Sequence, residues 1–137
     1  MKRVYVSVLT AMIFLASIAA CQKGGGGGNG DCSETAMTIT TSPAINSTEA
    51  PSAGETFPLT VNISANLPNA GATIAVKARP ESSQTAFYTE TKTTTAAVNS
   101  FTITGTPVGT PCVVEITVTS KSCAKNTFSG LYRYSRK

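Results

Sequence analysis

Apolar residues occupy every second position from Phe57 through Leu59, Val61, Ile63 and Ala65 to Leu67, with mostly polar residues between them. Successive side chains of a strand point to opposite faces, so this period of two predicts a central strand with one buried face. Pro58 stands near its start, where a missing backbone donor is tolerated. The same alternation recurs twice. Ala72, Ile74, Val76 and Ala78 alternate with Thr73, Ala75, Lys77 and Arg79, and Cys112, Val114, Ile116 and Val118 alternate with Val113, Glu115, Thr117 and Thr119. Weaker strands are expected over 36–41, with Met37 and Ile39 on one face, and over 85–94, with Phe87 and Tyr88 on opposite faces of a Thr-rich, exposed element. Two more are expected over 98–104, where Phe101 and Ile103 share a side, and over 127–135, where Phe128, Tyr132 and Tyr134 share a face opposite Leu131. Segments 42–54, 66–71, 80–83 and 105–111, rich in Pro, Gly, Asn and Ser, separate these runs as loops and turns.

Beyond Cys21 no segment of a dozen residues spaces its apolar positions by three and four, so the domain over 32–137 reads as all-β. Seven strands in a domain of this size resemble a seven-stranded immunoglobulin-like antiparallel sandwich better than a barrel. The resemblance is architectural: there is no tryptophan, and the cysteines do not occupy the second and sixth strands together. A fibronectin-type sandwich is the nearer comparison.

The N-terminal end is patterned differently. Lys2 and Arg3 precede an apolar run from Val4 to Ala20, 17 residues interrupted by Ser7, Thr10 and Ser17 and closed by Ile18-Ala19-Ala20-Cys21. A permanent span wants about 20 predominantly apolar residues, so the run is short for one. Basic head, apolar middle and small residues before a cysteine resemble the signal peptides of bacterial lipoproteins. The resemblance implies a signal helix and peptide over 1–20, cleavage between Ala20 and Cys21, and lipid on Cys21. Two or three acyl chains hold far more firmly than one, so the membrane is an expected partner. Gln22 follows the cysteine where an aspartate would resemble an inner-membrane retention signal, which implies outer-membrane sorting. Residues 21–31, with Gly24 to Gly28 in a row, form the lipidated cysteine and a tether with a reach of roughly 16 to 19 Å for ten flexible residues. A phosphate-cradling reading of these glycines fails, because no Gly-Lys-Ser/Thr follows.

Loss of residues 1–20 removes Lys2 and Arg3 and no acid, so the formal excess of +4 falls by half. No nucleic-acid partner is expected from that balance. Of four cysteines, Cys32, Cys112 and Cys123 remain after Cys21 is assigned to lipid, in a compartment where disulfides persist. Parity selects the pair. If seven strands each reverse direction, the start of the first strand and the connection between the sixth and seventh lie at one end, and Cys112 opens the sixth strand about 20 to 25 Å away. A disulfide needs Cα atoms within about 7 Å, so Cys32 and Cys123 are expected to bond and Cys112 to be an inward, free thiol.

The chain has no histidine, and its acids (Asp31, Glu34, Glu49, Glu55, Glu81, Glu90 and Glu115) are scattered singly. No Gly-x-Ser-x-Gly elbow and no metal spacing occurs, so neither catalytic residues nor a metal or cofactor is expected. Arg133, Arg136 and Lys137 beside Tyr132 and Tyr134 read as a solvated strand end, or else a basic aromatic patch. The best candidate contact face gathers Thr89, Thr91, Thr93, Thr117 and Thr119 with Tyr88 nearby. Together these features indicate a membrane-anchored envelope lipoprotein acting as a non-enzymatic binding or adhesion module toward a protein or glycan. The alternatives are a structural subunit of an envelope or pilus assembly, and a small barrel carrying an apolar ligand.

Overall fold

A computed structural model describes residues 32–137. The expected signal helix, the cleavage point at Ala20, lipidation of Cys21 and the tether lie outside the described residues. Seven strands follow in order: β1 (Thr38–Ser42), β2 (Phe57–Ala65), β3 (Ala72–Pro80), β4 (Tyr88–Thr94), β5 (Val98–Ile103), β6 (Pro111–Ser120) and β7 (Thr127–Ser135). They form two antiparallel sheets, β1-β2-β5 and β4-β3-β6-β7. This is a seven-stranded antiparallel β-sandwich. Its fourth strand pairs with the third, whereas in an antibody constant-type domain the fourth strand belongs to the other sheet.

Alternation dictates the core. Leu59, Val61 and Ile63 of β2, Ile74, Val76 and Ala78 of β3, and Val114, Ile116 and Val118 of β6 are all buried in one cluster with Phe101 and Ile103 of β5. Each Val, Leu or Ile so buried stabilises the fold by about 1.5 to 3 kcal/mol relative to exposure. A slip of one residue in any of these strands would turn the whole set to water. Pro58 is tolerated because β1 reaches only as far as Thr60 along β2, leaving Pro58 beyond the paired stretch on that side.

Three expectations need adjustment. Leu67 falls outside β2, because Asn66 takes a left-handed backbone (φ 58°) that ends the strand; Leu67 still packs against the core. The fourth strand starts at Tyr88 and not at residue 85, since Thr85 N is taken by Ser83 Oγ in a local turn. Segment 42–54 is more than a loop. After Ser42 and the cis-bonded Pro43 the chain leaves the first sheet and runs alongside β7, with parallel bridges from Thr48 to Arg133 and from Ser52 to Arg136.

Cys32 and Cys123 are disulfide-bonded with Cα atoms 5.7 Å apart, at the end of the sandwich where β1 begins and β6 hands over to β7. Glu34 reinforces that end, accepting from Ser122 Oγ and, at 3.0 Å, from Asn126 Nδ2, while Asn126 Oδ1 accepts from Met37 N at 3.1 Å. Cys112 is a buried free thiol at the start of β6, pointing its Sγ at Thr110 O 3.3 Å away. Burial, and then the charge of Glu81, push this thiol's pKa up.

Candidate functional site

At the end opposite the disulfide, the crossing of the chain from the first sheet to β7 leaves a cleft of about 450 Å³ between the sheets. Aromatic rings form its apolar part. Phe57 opens β2 and meets Tyr134 edge-on, with ring centroids 4.6 Å apart and planes at 60°. Tyr132 and Tyr134 both turn inward from β7, opposite Val114 and Cys112 of β6, and their centroids are 6.1 Å apart. Pro43 and Pro58 border the same cleft, and Ser42, Ser52, Thr56 and Thr60 bring hydroxyls to it.

The two tyrosines differ in their hydrogen bonds. Tyr134 Oη shares a 2.8 Å bond with Thr106 Oγ1 inside the protein. Tyr132, only 1% exposed, has a buried hydroxyl with no hydrogen-bond partner among the described residues. Burial raises both phenols, that of Tyr134 to about 12 against the opposing effect of its Thr106 bond. Tyr132 is raised further, by burial first, then by Tyr134 and by the charge of Glu49. Both hydroxyls are therefore protonated throughout the physiological range, and that of Tyr132 is an unused donor.

Glu49 lines the cleft from the crossing segment, with Oε1 accepting from Ser47 Oγ at 2.6 Å. Backbone bonds zip this segment to β7: Asn46 N to Leu131 O (2.7 Å), Arg133 N to Ser47 O (2.9 Å), Glu49 N to Arg133 O (2.8 Å) and Ser52 N to Ser135 O (3.1 Å). Gly130 of β7 permits the close approach, because a Cβ there would stand 2.8 Å from Ile45 Cδ1. Arg136 ties the neighbouring loops, donating from Nη2 to Glu55 (2.9 Å) and from Nη1 to Thr106 O (3.4 Å). The cleft is thus walled by hydrogen-bonded backbone and is preorganised.

The Thr face is also brought together. Thr89, Thr91 and Thr93 of β4 lie across from Lys77, Ala75 and Thr73 of β3, which in turn face Glu115, Thr117 and Thr119 of β6. Tyr88 does not belong to it, which corrects the expected face. It is the strand neighbour of Thr89 and so points to the other side, where it packs on the core and donates its hydroxyl to Glu90. Charges on the outer face pair laterally: Arg79 Nη2 is 2.7 Å from Glu115 Oε1, and Lys77 Nζ is 3.8 Å from Oε2.

The basic aromatic patch at the C-terminus does not form. Tyr132 and Tyr134 are buried, Arg133 Nε pairs with Glu81 at 2.6 Å, and Arg136 pairs with Glu55. At the edge of the other sheet, Lys92 Nζ lies 4.6 Å from the Phe101 ring centroid and donates to Ser100 O at 2.9 Å, placing a charged side chain on the outer edge of β5. Among the described residues no group of three or more His, Cys, Asp or Glu could hold a metal ion.

Sequence reasoning missed the cleft. Phe57 and Thr60 were legible only as strand positions, and Glu49 and Ser52 only as loop residues. Tyr132 and Tyr134 at alternate positions after Gly130 were the available signal, since a strand glycine marks a close backbone approach. No protein-family model, no curated protein and no solved structure matches the chain.

Proposed function

We propose that the chain is a lipid-anchored, non-enzymatic envelope module that meets its partner with the end of the sandwich carrying the cleft. The observation that supports this reading is the polarity of the domain. Cys32, the first described residue, is bonded to Cys123 at one end, and the preorganised cleft stands at the other. A tether leading into Cys32 would therefore pull on a cross-linked end, and the cleft is at the end of the domain remote from that attachment. The described residues form two open sheets, which supports this reading over a small barrel carrying an apolar ligand, and the Lys92 side chain, reaching from β4 to Ser100 O, disfavours strand addition at the β5 edge.

Two measurements test the reading. Metabolic labelling with palmitate should tag the wild-type chain and leave Cys21→Ser unlabelled and released from the membrane fraction. A photo-crosslinking side chain at Ala50 should give adducts in intact cells, and one at Thr91 on the outer face should not. Unlabelled wild-type protein, or adducts through Thr91 alone, would reverse the proposal.

A further inference from the structure

We infer that the cleft is a binding site for a short neutral glycan, a mono- or disaccharide unit with free ring hydroxyls. This rests on the distal-end reading above and names its ligand class. A pyranose has two kinds of surface, an apolar C–H face and a rim of hydroxyls that both donate and accept. The cleft supplies the complement to each. Phe57, only half-buried, offers aromatic surface whose negative ring face suits C–H groups, with the buried rings of Tyr132 and Tyr134 forming the floor behind it. The hydroxyls of Ser42, Ser52, Thr56 and Thr60, together with the Glu49 carboxylate, give polar partners around the opening.

Tyr132 decides between ligand classes. Its buried hydroxyl is a donor without an acceptor among the described residues, and such a group costs stability until something accepts from it. A quaternary ammonium would suit the rings and Glu49 but brings no acceptor, whereas a sugar hydroxyl brings one. Glu49 also disfavours acidic sugars, since a second carboxylate would be placed beside its like charge at the opening. The volume falls near the lower end of the range of about 300 to 1,000 Å³ for small-molecule sites, which admits one or two rings of a glycan and no folded peptide element.

The full chain, solubilised in detergent, should be titrated with neutral hexosides and disaccharides, with glucuronate, with tetramethylammonium and with a mixed dipeptide set, by calorimetry and by following the tyrosine ring resonances. The expected result is saturable binding of at least one neutral saccharide in the millimolar range and none of the other probes. Tyr132→Phe should weaken it about tenfold or more, and Ala50→Trp, an exposed change at the rim, should abolish it. Lys121→Trp, at the disulfide end, should leave it unchanged. Silence toward every neutral saccharide, stronger binding of the ammonium or peptide probes, or sugar binding that survives both Tyr132→Phe and Ala50→Trp overturns the inference. A chain that takes palmitate and cross-links through Ala50 yet binds no sugar keeps the tethered-module reading and loses only this one.

Discussion

Removing one oxygen from each of two tyrosines on the same strand face should move stability in opposite directions. In Tyr132→Phe the deleted atom is a buried hydroxyl without a partner among the described residues, while the ring and its packing remain. An unsatisfied buried donor costs about 1 to 3 kcal/mol, so this variant should gain about 1 kcal/mol. In Tyr134→Phe the deleted atom is bonded to Thr106 Oγ1 at 2.8 Å, and Thr106 is itself only 2% exposed. That substitution loses a bond worth about 1 kcal/mol net and leaves the Thr106 hydroxyl unpaired at a further cost of about 1 kcal/mol or more. The two variants should then lie about 3 kcal/mol apart, roughly a hundredfold in folding equilibrium. Guanidinium unfolding followed by far-ultraviolet circular dichroism is the suitable assay, because the chain has no tryptophan and each variant deletes one of four tyrosines. The midpoints should rank Tyr132→Phe above wild type above Tyr134→Phe with a common m-value. If Tyr132→Phe loses as much stability as Tyr134→Phe, the hydroxyl supports the fold and the case for a site kept open at a cost to stability fails.

Three further outcomes follow from the same geometry. Cys32→Ser, tested in guanidinium, should lower the midpoint, since cross-linking residues 91 apart removes up to about 4.6 kcal/mol of denatured-state entropy; an unchanged midpoint, or a tryptic peptide joining Cys112 to Cys123, would contradict the pairing. Gly130→Ala should cost about 1 to 3 kcal/mol by pushing Ile45 off β7, and should speed amide exchange at Asn46 and Glu49 before the core strands; unchanged exchange there would mean the crossing segment is held by something else. Hydrogen bonds from Ser122, then Asn126, lower the Glu34 pKa below its model-compound value of 4.5. Its contribution to stability is therefore present above the unfolded value and lost as pH falls through the lower folded one; Glu34→Gln should flatten that acid limb, and an identical pH profile would refute the assignment.

Most of the secondary structure was legible because burial on one side of a sheet forces a period of two. β2, β3 and β6 carry that period without a break, so their faces, and the turns between them, could be read residue by residue. Tyr88 was legible too: as the neighbour of Thr89 in an extended strand it has to face the other way, and grouping the two by proximity in the chain overrode that rule. Cys32 and Cys123 followed from counting strand reversals, a topological argument that needs no side-chain detail.

What the amino-acid order determined by itself was the local and the periodic: seven strands, their inward sides, and which cysteines share an end. Only the tertiary structure decided the contacts between segments far apart in the chain. Segment 46–52 holds to β7 through backbone hydrogen bonds, which leave no mark in side-chain pattern, and Gly130 admits it simply by lacking a Cβ. The cleft arises from that crossing. Its chemistry depends on one inward tyrosine finding Thr106 from a loop 28 residues away while the other finds no protein partner, a distinction set by three-dimensional packing and invisible to a pattern in which the two look alike.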